Sequence, residues 1–148
     1  MNFSDVTRDD RILAGVALLL IITLLFLPWF HISILGFSAS LTATDSPDGW
    51  LGVLAVLSAI ALIVDLGIER LSPGTSVPNI GGSRTQTRFV IACVTALFVG
   101  LKFLFHIHFD LFGFGFYVAV VLTAALVWVA LQARNERSVL GSNVHVEH

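Results

Sequence analysis

Four apolar runs, each about as long as a bilayer is thick, leave this chain few folds to choose from. They are Ile12–Phe30 (ILAGVALLLIITLLFLPWF), Trp50–Ile68 (WLGVLAVLSAIALIVDLGI), Phe89–Ile107 (FVIACVTALFVGLKFLFHI) and Leu111–Leu131 (LFGFGFYVAVVLTAALVWVAL). A helix needs about 20 mainly apolar residues to cross a hydrocarbon core of about 30 Å. No water inside that core can satisfy backbone N–H and C=O groups, so a helix is the economical solution for each run. Composition agrees, with 12% charged and 56% hydrophobic residues and a mean hydropathy of +0.90. An ordinary soluble domain carries about 25% charged residues. The expected fold class is an all-α membrane protein, a four-transmembrane-helix bundle making one domain of 148 residues.

The basic residues set its orientation, because Lys and Arg collect in cytoplasmic segments. Arg8 and Arg11 precede the first span, Arg70, Arg84 and Arg88 lie between the second and third, and Arg134 and Arg137 follow the fourth. Phe30 to Gly49 contains neither Lys nor Arg. A multi-pass protein of the inner (plasma) membrane follows, with both termini cytoplasmic. The first run exceeds the 7–15 residues of a signal-peptide core and no A-x-A site follows it, so it reads as an uncleaved span. Residues 69–88 (ERLSPGTSVPNIGGSRTQTR) mix Pro, Gly, Ser and Thr without apolar periodicity and read as a flexible cytoplasmic loop. Residues 132–148 read as a cytoplasmic tail, helical for a turn or two. A net charge of −2 gives nucleic acid no electrostatic footing, and a single cysteine, Cys93, excludes an internal disulfide.

Lipid tails are as apolar as Leu, so membrane helices join by close packing at small residues. Ala92, Ala96 and Gly100 form such a stripe on the third span, with Ala55 and Ala59 on the second and Ala119 and Thr123 on the fourth. These stripes can serve a bundle within one chain or a homo-oligomer.

Two charges lie within the spans, Asp65 and Lys102, and intramembrane charges are functional candidates by default. At 1.5 Å per residue, Asp65 sits about 22 Å below Trp50 and Lys102 about 21 Å above Arg88. Their levels differ by roughly 13 Å, too far for a direct ion pair. Asp65 can instead reach cytoplasmic water, Arg88 or Arg11. Lys102 can extend its stem towards Asp110, Asp45 or Asp48.

Between the first two spans the chain changes period. Phe30, Ile32 and Ile34 alternate with His31 and Ser33; then Phe37, Ala39, Leu41 and Ala43 alternate with Ser38, Ser40, Thr42 and Thr44. Period two with one apolar face predicts two strands joined at Leu35-Gly36, an outer β-hairpin within residues 30–49. The alternative is a loose polar loop. On the same side, FHIHFD brings His106, His108 and Asp110 into alternation, with His31 nearby. Imidazole and carboxylate suit zinc or copper, and an imidazole titrates near pH 6.5, so His31, His106, His108 and Asp110 define an outer metal site or pH sensor as one reading.

The LPW of Leu27–Trp29, the strand-like segment and the DGW of Asp48–Trp50 resemble a widespread group of small bacterial four-helix membrane proteins, seen especially in actinobacteria. The plan of four spans, inward termini and a β-rich first loop is also similar to claudin-type proteins, whose paired loop cysteines are missing here. These resemblances imply a topology and no activity.

No Ser/His/Asp or Cys/His arrangement, phosphate loop or paired carboxylates can be assembled, and no cofactor is implied. The expectation is a non-enzymatic accessory, assembly or interaction factor of the envelope. Its partners are the lipid bilayer and a membrane protein or a second copy, met through the outer hairpin and the small-residue faces. An oligomeric pore, holin-like or permease-like protein is the main alternative.

Overall fold

A computed structural model describes residues 8–45, 48–72, 74–76, 78–79, 82–105 and 113–144, with the side chains of all these except 137 and 140–144. The order of elements is α1 (Arg8–Phe26), β1 (Phe30–Ile34), β2 (Phe37–Leu41), α2 (Gly49–Leu71), α3 (Arg84–Phe105) and α4 (Phe114–Val144). Each helix packs on its sequence neighbours, and α4 packs back against α1. Leu13, Ala17, Leu20, Leu24, Ala55, Leu62, Ala92, Val99, Ala119 and Leu126 fill the space between them.

Among the described residues, α2, α3 and the Phe114–Glu136 part of α4 are long and apolar enough to cross a membrane. α1 falls short of that mark. Its 19 residues span about 28 Å, but its first turn is spent on Arg8, Asp9, Asp10 and Arg11. The expected span 12–30 also ends early. Leu27 N–H still donates to the Thr23 carbonyl at 3.2 Å; Pro28 then has no N–H to give. Trp29 N–H turns to the Leu41 carbonyl at 2.7 Å, and Phe30 begins β1.

The hairpin forms as the alternation predicts, antiparallel with Phe30 opposite Leu41, Ile32 opposite Ala39 and Ile34 opposite Phe37. Cross-strand partners share a face, so these six make one apolar row. Leu35 (φ 49°) and Gly36 (φ 85°) form the turn, both left-handed, as a two-residue hairpin turn of the right twist requires.

The segment 69–88, expected to be one flexible loop, is structured at both ends. α2 runs on to Leu71, and α3 begins at Arg84, where Ser83 Oγ accepts the Gln86 N–H at 3.1 Å as an N-cap. The reason is polar: Glu69, Arg70 and Arg88 are needed inside the bundle, as described below. The tail likewise stays helical to Val144, giving α4 31 residues, about 46 Å, well past a 30 Å core.

Candidate functional site: the two ends of the bundle

At one end, the start of α1, the end of α2 and the start of α3 converge on the Arg88 side chain, which is 3% exposed. Its Nε donates to Asp65 Oδ2 at 2.8 Å and its Nη1 to Asp10 Oδ1 at 3.2 Å, while Nη2 meets Glu69 Oε2. Arg70 Nη2 donates to the other Asp10 oxygen. Asp65 and Glu69 are four residues apart and therefore share a face of α2. Asp10 sits in the first turn of α1, where a helix favours negative charge. The planar guanidinium offers a fork of donors that no ammonium could match, and it ties three helices together. Arg134 adds α4 to this end by lying 5.1 Å from the centre of the Phe89 ring. Beside the network, a cleft of about 610 Å³ opens between α1 and α2.

At the other end, the joints are main-chain. Ala43 N–H donates to the Leu24 carbonyl at 3.2 Å, Gly113 N–H to Trp29 at 2.7 Å and Gly115 N–H to Pro28 at 2.9 Å. Glycine makes these approaches possible. A Cβ at Gly52 would overlap the Ala43 carbonyl, and one at Gly113 the Pro28 carbonyl. Trp29, 1% exposed, stands edge-on to Phe116 with centroids 5.4 Å apart. It is a core residue beneath the hairpin, its amide bound into the sheet. Trp50, Tyr117 and Trp128 are exposed.

Lys102 closes this end. It does not extend into water but is 1% exposed, with Nζ 3.2 Å from the Asp48 carbonyl and 5.8 Å from the centre of the Phe30 ring. Asp65 uses Arg88 of the two arginines the sequence offers it. The charges that α2 and α3 carry within their apolar stretches thus belong to separate ends and separate partners.

The apolar row of the hairpin is buried only at its base. Phe30 is 6% exposed and Leu41 half-buried, while Ile34, Leu35 and Phe37 are 63%, 95% and 83% exposed. The base is held, and the tip stands clear of the bundle. At the exit, Asp45 Oδ2 accepts both the N–H and the hydroxyl of Thr42 at 2.8 Å, and these bonds, the main-chain one first, hold its carboxyl below the ordinary value of 3.8.

Of the proposed metal ligands, His31 lies exposed on β1; His106, His108 and Asp110 fall outside the described residues. Among the described residues no three His, Cys, Asp or Glu side chains gather as a metal-binding group. The small-residue stripe on α3 is divided. Ala92 is buried, but Ala96 and Gly100 line an open apolar groove of about 730 Å³ against α4, and a Cβ on Gly100 would touch nothing. Gly100 is therefore not a site of close helix approach. Sequence reasoning reached the Asp65–Arg88 pair but missed the parts of the network contributed by Asp10, Glu69 and Arg70, and the close-approach glycines 49, 52, 113 and 115. The i, i+4 pair Asp65/Glu69 facing an arginine across the loop was the available signal for the first.

Comparison with protein-family models, curated proteins and solved structures returns no match.

Proposed function

We propose that this is a non-enzymatic integral membrane protein that binds a partner protein through the tip of its hairpin, as an accessory or assembly factor. In this reading all four helices cross the plasma membrane with both termini cytoplasmic, and the hairpin lies outside. Seven of the eight basic residues then fall on the cytoplasmic side, as the distribution of Lys and Arg demands.

The observation that carries the reading is the tip. Leu35 holds a left-handed φ of 49° that disfavours a bulky side chain and suits Asn, yet it is 95% exposed. Folding alone would place a polar residue there. Ile34 and Phe37 flank it, and the base is fixed to the bundle by main-chain bonds, so the apolar knob is presented rigidly. Little ordering entropy would then be lost on binding. The hydroxyls of Thr23, Ser58, Thr95 and Thr123 each donate to a carbonyl of their own helix, which favours this reading over an oligomeric pore with a shared polar stripe.

A photo-reactive amino acid at position 37, activated in native membranes, tests it. One discrete adduct to a second protein, lost when Leu35→Asn is added, is the expected result. Adducts only to lipid, or only to a second copy of the chain, would overturn the reading.

A further inference from the structure

The hairpin has two edges, and its turn decides which main-chain groups face them. A two-residue turn with both residues left-handed closes on a pair that exchanges both of its hydrogen bonds, here Ile34 and Phe37. Bonded pairs then alternate along the ladder, so Ile32 with Ala39 and Phe30 with Leu41 also turn their N–H and C=O groups inward. His31 and Ser33 on β1, and Ser38 and Ser40 on β2, turn theirs outward.

The two edges differ. β1 rests on the bundle through the buried Phe30, and the start of α4 bonds to Pro28 and Trp29 just before it. β2 is exposed from Phe37 to Ser40. Among the described residues, nothing bonds the outward N–H and C=O groups of Ser38 and Ser40. This open edge stops at Thr42, whose N–H goes to the Asp45 carboxylate and whose C=O accepts the Asp45 N–H at 3.2 Å. Proteins blunt open edges with Lys, another charge or Pro. From Phe30 to Thr44 there is no Asp, Glu, Lys, Arg or Pro. Donors and acceptors repeating along an extended chain at about 3.4 Å per residue match another extended main chain.

Resting on the hairpin reading above, we infer that the partner protein adds a strand to the β2 edge, making a three-stranded sheet. Ser38 and Ser40 supply the main-chain bonds, and Phe37 at the head of the same strand supplies the apolar contact. The apolar row and the Ser row lie on opposite faces of the hairpin. The added strand must therefore alternate apolar and polar residues to continue both.

The test places Pro on each edge in turn, in the full chain carrying a photo-reactive amino acid at position 37 in native membranes. Pro lacks the N–H, and an outward-facing N–H is one that an edge strand can give up without losing a bond of its own. Ser40→Pro should cut the adduct to the second protein about fivefold or more, the effect of one hydrogen bond. Ser40→Val keeps the N–H and Ser33→Pro alters only the β1 edge, so both should leave the adduct unchanged. Unaltered proteolysis of the hairpin confirms that Ser40→Pro keeps its fold. If cleavage quickens, an ester in place of the Ser40 amide removes the N–H alone and is read in the same way. An adduct that survives loss of the Ser40 N–H overturns strand addition and leaves the hairpin reading standing. Equal loss in Ser33→Pro and Ser40→Pro overturns the assignment to β2. No adduct to a second protein before either Pro is introduced overturns both.

Discussion

At the charged end, three helices are joined by side chains around Arg88, whose reach leaves their backbones several ångströms apart. At the hairpin end, backbones touch directly: Gly113 and Gly115 bond to Trp29 and Pro28, and Gly52 lies against Ala43. The first joint depends on charge and tolerates spacing. The second depends on spacing and has little use for charge beyond Lys102. A substitution should therefore be harmful at one end for a reason that is irrelevant at the other.

The largest effect is expected from Arg88→Leu. Breaking a buried ion pair costs about 3–5 kcal/mol, because the remaining charge is stranded; here Asp65 and Glu69 are stranded together. Unfolding in a denaturing detergent should show that loss, and the triple change Asp65→Leu, Glu69→Leu, Arg88→Leu should recover most of it. Equal losses in the single and triple variants would mean that the network is not a closed unit.

Next comes Gly52→Ala, where the new methyl displaces the Ala43 carbonyl at a cost of about 1–3 kcal/mol. Faster proteolysis of the hairpin is the readout. Gly100→Ala sharpens the contrast. It meets open space and should stabilise α3 by up to about 1 kcal/mol through helix propensity, so equal damage from both would refute the close-approach account.

A smaller change is expected from Leu35→Asn. Relief at a left-handed position should leave stability equal or a few tenths of a kcal/mol higher, while partner binding falls. Loss of the hairpin in circular dichroism would show that Leu35 serves folding after all. The smallest effect belongs to Asp45. Its depressed carboxyl contributes fully above the ordinary value of 3.8 and loses that contribution as pH falls through its folded value. Exchange of the Thr42 amide should quicken at such acid pH, and Asp45→Asn should remove the dependence.

The hairpin was legible because period two is a local property that side-chain order alone reveals. α2, α3 and most of α4 were legible because apolar length is likewise local. The limits of α1 were not, since the exit at Phe26 is decided by an acceptor on β2, Leu41. The Arg88 network was half legible. Sequence brings Asp65 and Glu69 to one face, but the choice of Arg88 over Arg11 depends on how α3 is rotated against α2. Gly100 and Gly52 look alike in sequence, and only the distance to the next backbone separates them.

The bonds from Gly113 and Gly115 to Trp29 and Pro28 also impose an order on manufacture. The acceptors emerge from the ribosome about 85 residues before their donors, a wait of roughly 4–17 s at about 5–20 residues per second. Until the last helix arrives, the two carbonyls must be satisfied by water or by another protein. A nascent chain halted after α3 would thus hold its hairpin through Ala43 and Lys102 alone, and the arrival of α4 adds the two glycine bonds.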